Sequence, residues 1–110
     1  MAFFRVSSGG TTPSFPVITY SGGTQPTYEY TFATDYQFVI VAVGGEGIGS
    51  AAKLSGNYSI SLLATGSGSW EGVSYGTRIY LLTNVSKTNK IRISRAQGYV
   101  GGYAIIGVKL

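Results

Sequence analysis

Lys90-Ile-Arg-Ile-Ser-Arg-Ala-Gln-Gly-Tyr-Val-Gly-Gly-Tyr-Ala-Ile-Ile-Gly-Val-Lys-Leu110 ends the chain, and its reading decides the fold. Ile91 and Ile93 alternate with Lys90, Arg92 and Ser94, the period-2 pattern of a strand with one face in the core. Tyr103-Ala-Ile-Ile-Gly-Val108 is apolar on both faces and too apolar to stand in water as a tail. It is expected inside a sheet, paired along both edges. A fold with that strand in its interior closes only once the last residues exist. Between the two strands, residues 97–102 read as a loop rich in Gly and Tyr at one end of the fold. Tyr99 and Tyr103, flanking Gly101-Gly102, have the composition of an adaptable recognition loop.

Working back from this hairpin, Thr77-Arg-Ile-Tyr-Leu-Leu-Thr83 reads as a strand and residues 84–89 as a polar turn. Asn57-Tyr-Ser-Ile-Ser-Leu-Leu63 alternates, with Tyr58, Ile60 and Leu62 on one face. Residues 64–76 lie between, a run of Gly, Ser and Thr carrying Trp70, Glu71 and Tyr75, and read as a loop. Tyr36-Gln-Phe-Val-Ile-Val-Ala-Val43 is a continuous apolar run, short for a helix and rich in β-branched residues, as in a strand buried on both faces. Tyr28, Tyr30 and Phe32 alternate with Thr27, Glu29 and Thr31, which gives a strand with one aromatic face. Residues 1–26 read as an amino-terminal arm. Phe3, Phe4 and Val6 are apolar anchors, residues 7–13 a linker, and Phe15-Pro-Val-Ile-Thr-Tyr20 a candidate edge strand in which Pro16 sits near the start. Seven to eight short strands separated by turn signals make an all-β protein, a single sandwich or barrel over residues 27–110 with an amino-terminal arm.

Composition narrows the chemistry. Of 110 residues, 44% are hydrophobic and only 11% charged, where about 25% charged is usual. Cys and His are absent. That removes disulfides, thiolate and Ser-His-Asp catalysis and the usual zinc sites, and neither a metal nor another cofactor is expected. The four carboxylates are scattered; Glu46 with Asp35 or Glu71 is the only glycosidase-like pair to weigh, and no enzyme is expected. Residues 44–50, Gly-Gly-Glu-Gly-Ile-Gly-Ser, follow a strand but lack the Gly-Lys-Ser/Thr of a phosphate loop and any βαβ context, so they read as a wide loop. The net charge of +4 is spread out, with Lys87, Lys90, Arg92 and Arg95 the nearest approach to a cluster. Arg92, Arg95 and Tyr99 are not interleaved as in a nucleic-acid-reading sheet, so nucleic acid is not an expected partner. The amino terminus lacks a secretory leader. The longest apolar run is far below the roughly 20 residues of a membrane helix. Synthesis in a cytoplasm without membrane insertion is expected.

The last thirty residues, from Leu81-Leu-Thr-Asn-Val-Ser-Lys-Thr-Asn-Lys-Ile-Arg-Ile-Ser to Gly102-Tyr-Ala-Ile-Ile-Gly-Val-Lys-Leu110, resemble the end of jelly rolls of the tumour-necrosis-factor and complement type, which implies a single jelly-roll-like antiparallel β-sandwich. The chain as a whole resembles small Gly- and Tyr-rich β proteins of bacteriophage particles, such as tail-fibre tips and capsid decoration proteins. Both resemblances imply a homotrimer. The second implies a virion protein assembled in the host cytoplasm, attached to other virion proteins through its arm. On this reading the aromatic face of Tyr28, Tyr30 and Phe32 packs between subunits, and loops face a receptor. The alternative is a carbohydrate-binding, lectin-like module. Trp70, Glu71 and Tyr75, together with Tyr99 and Tyr103, are the candidate ligand-binding residues: aromatic rings stack on sugar faces and a carboxylate takes hydroxyls, as on a host-cell glycan.

Overall fold

A computed structural model of the protein describes residues 12–23, 27–47, 49–94 and 101–109. They form eight strands: β1 (Val17–Gly23), β2 (Thr27–Thr31), β3 (Tyr36–Glu46), β4 (Ser50–Ser55), β5 (Ser59–Trp70), β6 (Val73–Val85), β7 (Lys90–Ser94) and β8 (Gly101–Val108). No helix occurs among the described residues. One sheet has the order β1-β8-β3-β6-β5 and the other β2-β7-β4, all antiparallel. The first strand pairs with the eighth, the second with the seventh and the third with the sixth. This is one long ribbon rolled on itself, the winding of a jelly roll. The roll departs from that pattern at its end: β5 pairs with β6 rather than with β4, and so widens the larger sheet to five strands.

As the hydrophobic pattern requires, β8 lies inside the larger sheet with β1 on one edge and β3 on the other. Val39, Val41 and Val43 of β3, Ile105 of β8 and Leu82 of β6 face Ile91 and Ile93 of β7, and all seven are buried. Tyr58 closes the same core and donates its hydroxyl to the Lys90 carbonyl at 2.8 Å. Glu29 and Arg92 stand opposite one another on the wet face of the smaller sheet and form an ion pair in which Arg92 Nε and Nη2 both donate to the one oxygen Glu29 Oε2, at 3.1 and 2.7 Å. Asp35 accepts from the Lys87 backbone N–H at 2.7 Å and ties the β2–β3 turn to the β6–β7 turn.

The aromatic face of β2 is where the sequence expectation fails. Phe32 is 1% exposed, edge-on to Tyr30 at 5.2 Å and to Tyr58 at 6.5 Å. Tyr28 stacks on Tyr103 at 4.6 Å, and Tyr28 and Tyr30 both pack against the core. Burial, aided by the neighbouring Tyr36 and Tyr28 phenols, raises the Tyr30 pKa above the ordinary tyrosine value. This face is an inner wall of the sandwich. The larger sheet already packs against the surface that an intersubunit contact of Tyr28, Tyr30 and Phe32 would need.

Two segments read as loops are strands. Residues 44–46 continue β3, and residues 64–76 form the far half of a hairpin whose pairing runs without a gap to Trp70 and Val73. β1 likewise runs past Tyr20, where the expected edge strand stops, to Gly23, and β4 was not expected at all. Registers across the larger sheet explain the misreading. Gly22, Gly102, Gly44, Thr77 and Gly66 fall in one cross-strand row, and Gly23, Gly101, Gly45, Gly76 and Ser67 in the next. Eight of these ten positions are glycine, so a belt of nearly bare backbone crosses all five strands. Residue by residue a glycine-rich segment looks like a loop; in register it is a sheet without side chains.

The belt begins where the sandwich ends. Arg78 stands opposite Val43 on the inner face and reaches the Gly49 carbonyl with Nη1 at 2.9 Å. Together with Tyr103 and Tyr28 it closes that end of the core. Beyond the belt β5 and β6 continue as a two-stranded extension, and the molecule is 52 Å long against 31 and 20 Å in the other directions.

Candidate functional site at the hairpin tip

The extension ends in a two-residue turn. Glu71 and Gly72 both have positive φ, 50° and 79°, the signature of a type I′ turn between the paired residues Trp70 and Val73. This turn matches the right-handed twist of its strands, which lets the ribbon run on past the sandwich without a second sheet to hold it.

Register places the side chains. Directly paired residues share a face, as do residues two apart along one strand. Glu46 pairs with Tyr75, Tyr75 with Gly68, and Val73 with Trp70. Trp70, Val73, Tyr75 and Glu46 therefore lie on one face, and Gly68 leaves a gap between the rings. Trp70 and Tyr75 are diagonal neighbours, about 7–8 Å apart at the backbone. Trp70 is 68% exposed and Tyr75 41%. The opposite face carries Ser69, Ser74 and Ser67. Two shallow concavities flank the tip, one of about 330 Å³ walled by Gly66, Gly68, Tyr75 and Thr77, the other of about 300 Å³ walled by Glu46, Gly72 and Val73.

The side chains of Trp70, Tyr75, Glu46 and Glu71 have no hydrogen-bond, ion-pair or ring partner among the described residues. Glu29 and Asp35 are engaged with Arg92 and Lys87. The two uncommitted carboxylates of a chain with net charge +4 thus sit at the tip. The described cations lie elsewhere: Lys53, Lys90 and Arg92 on the smaller sheet, Lys87 in a turn, Arg78 bound to Gly49, and Lys109 past the end of β8, bridged to Ser14.

Of the residues expected to bind ligand, Trp70, Glu71 and Tyr75 are brought together on the hairpin. Tyr103 is not among them. It is 7% exposed and stacked on Tyr28, because β8 starts at Gly101 and alternation turns Tyr103 inward. Tyr99 lies outside the described residues, as do Arg95 and most of the loop expected over residues 97–102. Glu46 joins the tip instead; in sequence it is separated from Trp70 by two dozen residues, and only the β3–β6 register reveals the connection. A glycosidase pair of Glu46 with Asp35 is ruled out. They flank opposite ends of the eleven-residue β3, more than about 30 Å apart at strand rise, where such pairs need about 5–9.5 Å. No group of three or more metal-ligating side chains occurs among the described residues. No described helix is long and apolar enough to cross a membrane.

Comparison with protein-family models, curated proteins and solved structures finds no match to the chain.

Proposed function

We propose that the protein is a structural, receptor-facing module: a rigid sandwich that carries an aromatic hairpin outward to meet a saccharide surface. The phage-particle setting implied by its resemblances is part of this proposal. The observation that carries it is the tip itself, where two exposed rings and a carboxylate share one face without serving the fold. A side chain as large as Trp left in water at the end of an unsupported ribbon adds nothing to the core and keeps its stacking face free. Apolar C–H faces of a pyranose stack on Trp70 and Tyr75, Gly68 leaves room between them, and Glu46 accepts from hydroxyls. Phosphate-rich ligands are disfavoured, since Glu46 and Glu71 repel them and no described cation lies at the tip.

Titration with a panel of neutral oligosaccharides, followed by the fluorescence of the single Trp, tests the reading. Binding is expected to shift Trp70 emission. Tyr75→Ala should weaken it by about tenfold, the equivalent of roughly 1.4 kcal/mol, and Trp70→Ala, which removes the fluorophore and is read by calorimetric titration instead, should weaken it as much; both should leave the melting temperature in place. A blank glycan array with unmoved Trp70 fluorescence refutes it.

A further inference from the structure

The outer face of the larger sheet, on the side away from the core, is apolar. Alternation from the buried Val39, Val41 and Val43 puts Ile40 and Ala42 outward. Their cross-strand partners are Leu81 and Ile79 on β6, and Ile106 and Ala104 on β8. β1 adds Val17, opposite Ile106, and Tyr20, opposite Ala104. Tyr20 is 76% exposed and Val17 57%. No charged side chain falls in these rows, and no described element packs over them. The sequence carries the same message, since β3 has the continuous apolar run of a strand covered on both sides, yet the smaller sheet covers only one.

We propose that this face packs against the same face of a second copy of the chain. Charge selects the partner. Two molecules of net charge +4 repel one another over most approaches. Lys53, Lys90 and Arg92 all sit on the smaller sheet, Arg78 is on the inner face bound to Gly49, and Lys109 lies past the end of β8, outside these rows, so apposing the larger sheets brings neutral surface together and turns most of the cations away from it. Shape agrees, because two twisted sheets stack face to face about 10 Å apart. Area agrees as well. Two of the outward rows cross all five strands and a third, Val108, Phe38, Thr83 and Ser59, crosses four; at about 4.8 Å by 6.7 Å per residue they give roughly 450 Å² per copy. The pair approaches ~1,000 Å², the lower end of specific interfaces, so association is concentration-dependent. The glycine row of Gly22, Gly102, Gly44 and Gly66 bounds the patch on the side of the tip and leaves Trp70 and Tyr75 outside it. This inference goes beyond the saccharide reading and does not depend on it.

Sedimentation velocity on the full chain over a wide concentration range tests it, with Tyr20→Lys and Leu81→Lys as variants. Tyr20 is so exposed that a Lys there leaves the monomer's stability nearly unchanged. In the pair it buries an unpaired charge, so Tyr20→Lys should raise the dissociation constant at least about tenfold. Leu81→Lys, nearer the centre of the patch, should do so more strongly. A dimer weakened by Tyr20→Lys, with its melt unchanged, supports the proposal. A chain that stays monomeric at its highest soluble concentration overturns it, and so does an oligomer indifferent to both substitutions. Saccharide titration at Trp70 is read separately on the same samples, so failure of one reading is not failure of the other.

Discussion

Gly107 sits in β8 between β1 and β3, and its N–H donates to the Pro16 carbonyl at 2.9 Å. A Cβ built there would stand 2.8 Å from Tyr36 Cε1, 3.2 Å from Tyr36 Cδ1 and 3.4 Å from Ile18 Cδ1. The backbone is no obstacle, since φ at Gly107 is outside the left-handed region. Two effects therefore compete in Gly107→Ala. Loss of unfolded-chain entropy favours the variant by about 0.4–1 kcal/mol. Overpacking opposes it by about 1–3 kcal/mol, because the Tyr36 ring is braced edge-on against Phe32 at 6.2 Å and cannot swing into the core. Overpacking wins, for a net loss of about 1–2 kcal/mol. At an unfolding entropy of about 2.1 cal/mol/K per residue, that lowers the melting temperature of a 110-residue chain by about 4–9 °C. Calorimetry on Gly107→Ala, Tyr36→Ala and the double variant separates the terms. In the Tyr36→Ala background the same substitution should become neutral or stabilising. If Gly107→Ala costs as much there as in the wild type, the ring is not the obstacle and the packing described for this edge of the core is wrong.

Gly68→Ala makes the opposite case: nothing lies within 4 Å of its Cβ position, so the variant should be stabilised by about 0.4–1 kcal/mol in a denaturant melt. Burial pushes the Tyr58 phenol from 10.0 up to about 12, with the Leu54 backbone opposing in part. The folded pKa is raised, so this stability is whole below pH 10 and is lost as pH rises through about 12. A two-unit shift is worth about 2–3 kcal/mol, and alkaline melts of wild type against Tyr58→Phe should show the difference vanish above that window. Removing residues 106–110 takes away three of the eight β8–β3 pairs, the Val17–Ile106 pair of β1 and the Ser14–Lys109 bridge, and leaves β3 and β1 with bare edges beside the core, so no cooperative thermal transition should remain.

The parts of the fold legible in sequence are those where side chains alternate against a core. Ile91 and Ile93 announced β7, Tyr28, Tyr30 and Phe32 announced β2, and the apolar run at Tyr103 announced an interior strand. What remained hidden depends on register. β4, Ser-Ala-Ala-Lys-Leu-Ser, is partly exposed along its length and carries too little apolar contrast to stand out. The outer half of the hairpin has almost no side chains to alternate. Its strand character comes from ladder hydrogen bonds to residues distant in sequence. The same cause hid one of the four residues of the site. Trp70, Glu71 and Tyr75 are neighbours in sequence and could be grouped, whereas Glu46 reaches them only through pairing. The aromatic face of β2 was legible as a face but not as an inner one, since alternation does not tell a strand which of two apolar layers it will meet.

The glycine belt also bears on how this scaffold tolerates change. Core packing passes from one side chain to the next, and across the belt there are almost none to pass it. Substitutions at Trp70, Val73 or Tyr75 thus have little route by which to disturb Val43, Arg78 or Tyr103, although the backbone ladder continues unbroken between them. The tip is in this sense a separately editable end of a continuous sheet. Loops grafted at the Glu71-Gly72 turn would be presented at a fixed distance from the sandwich without being read by its core.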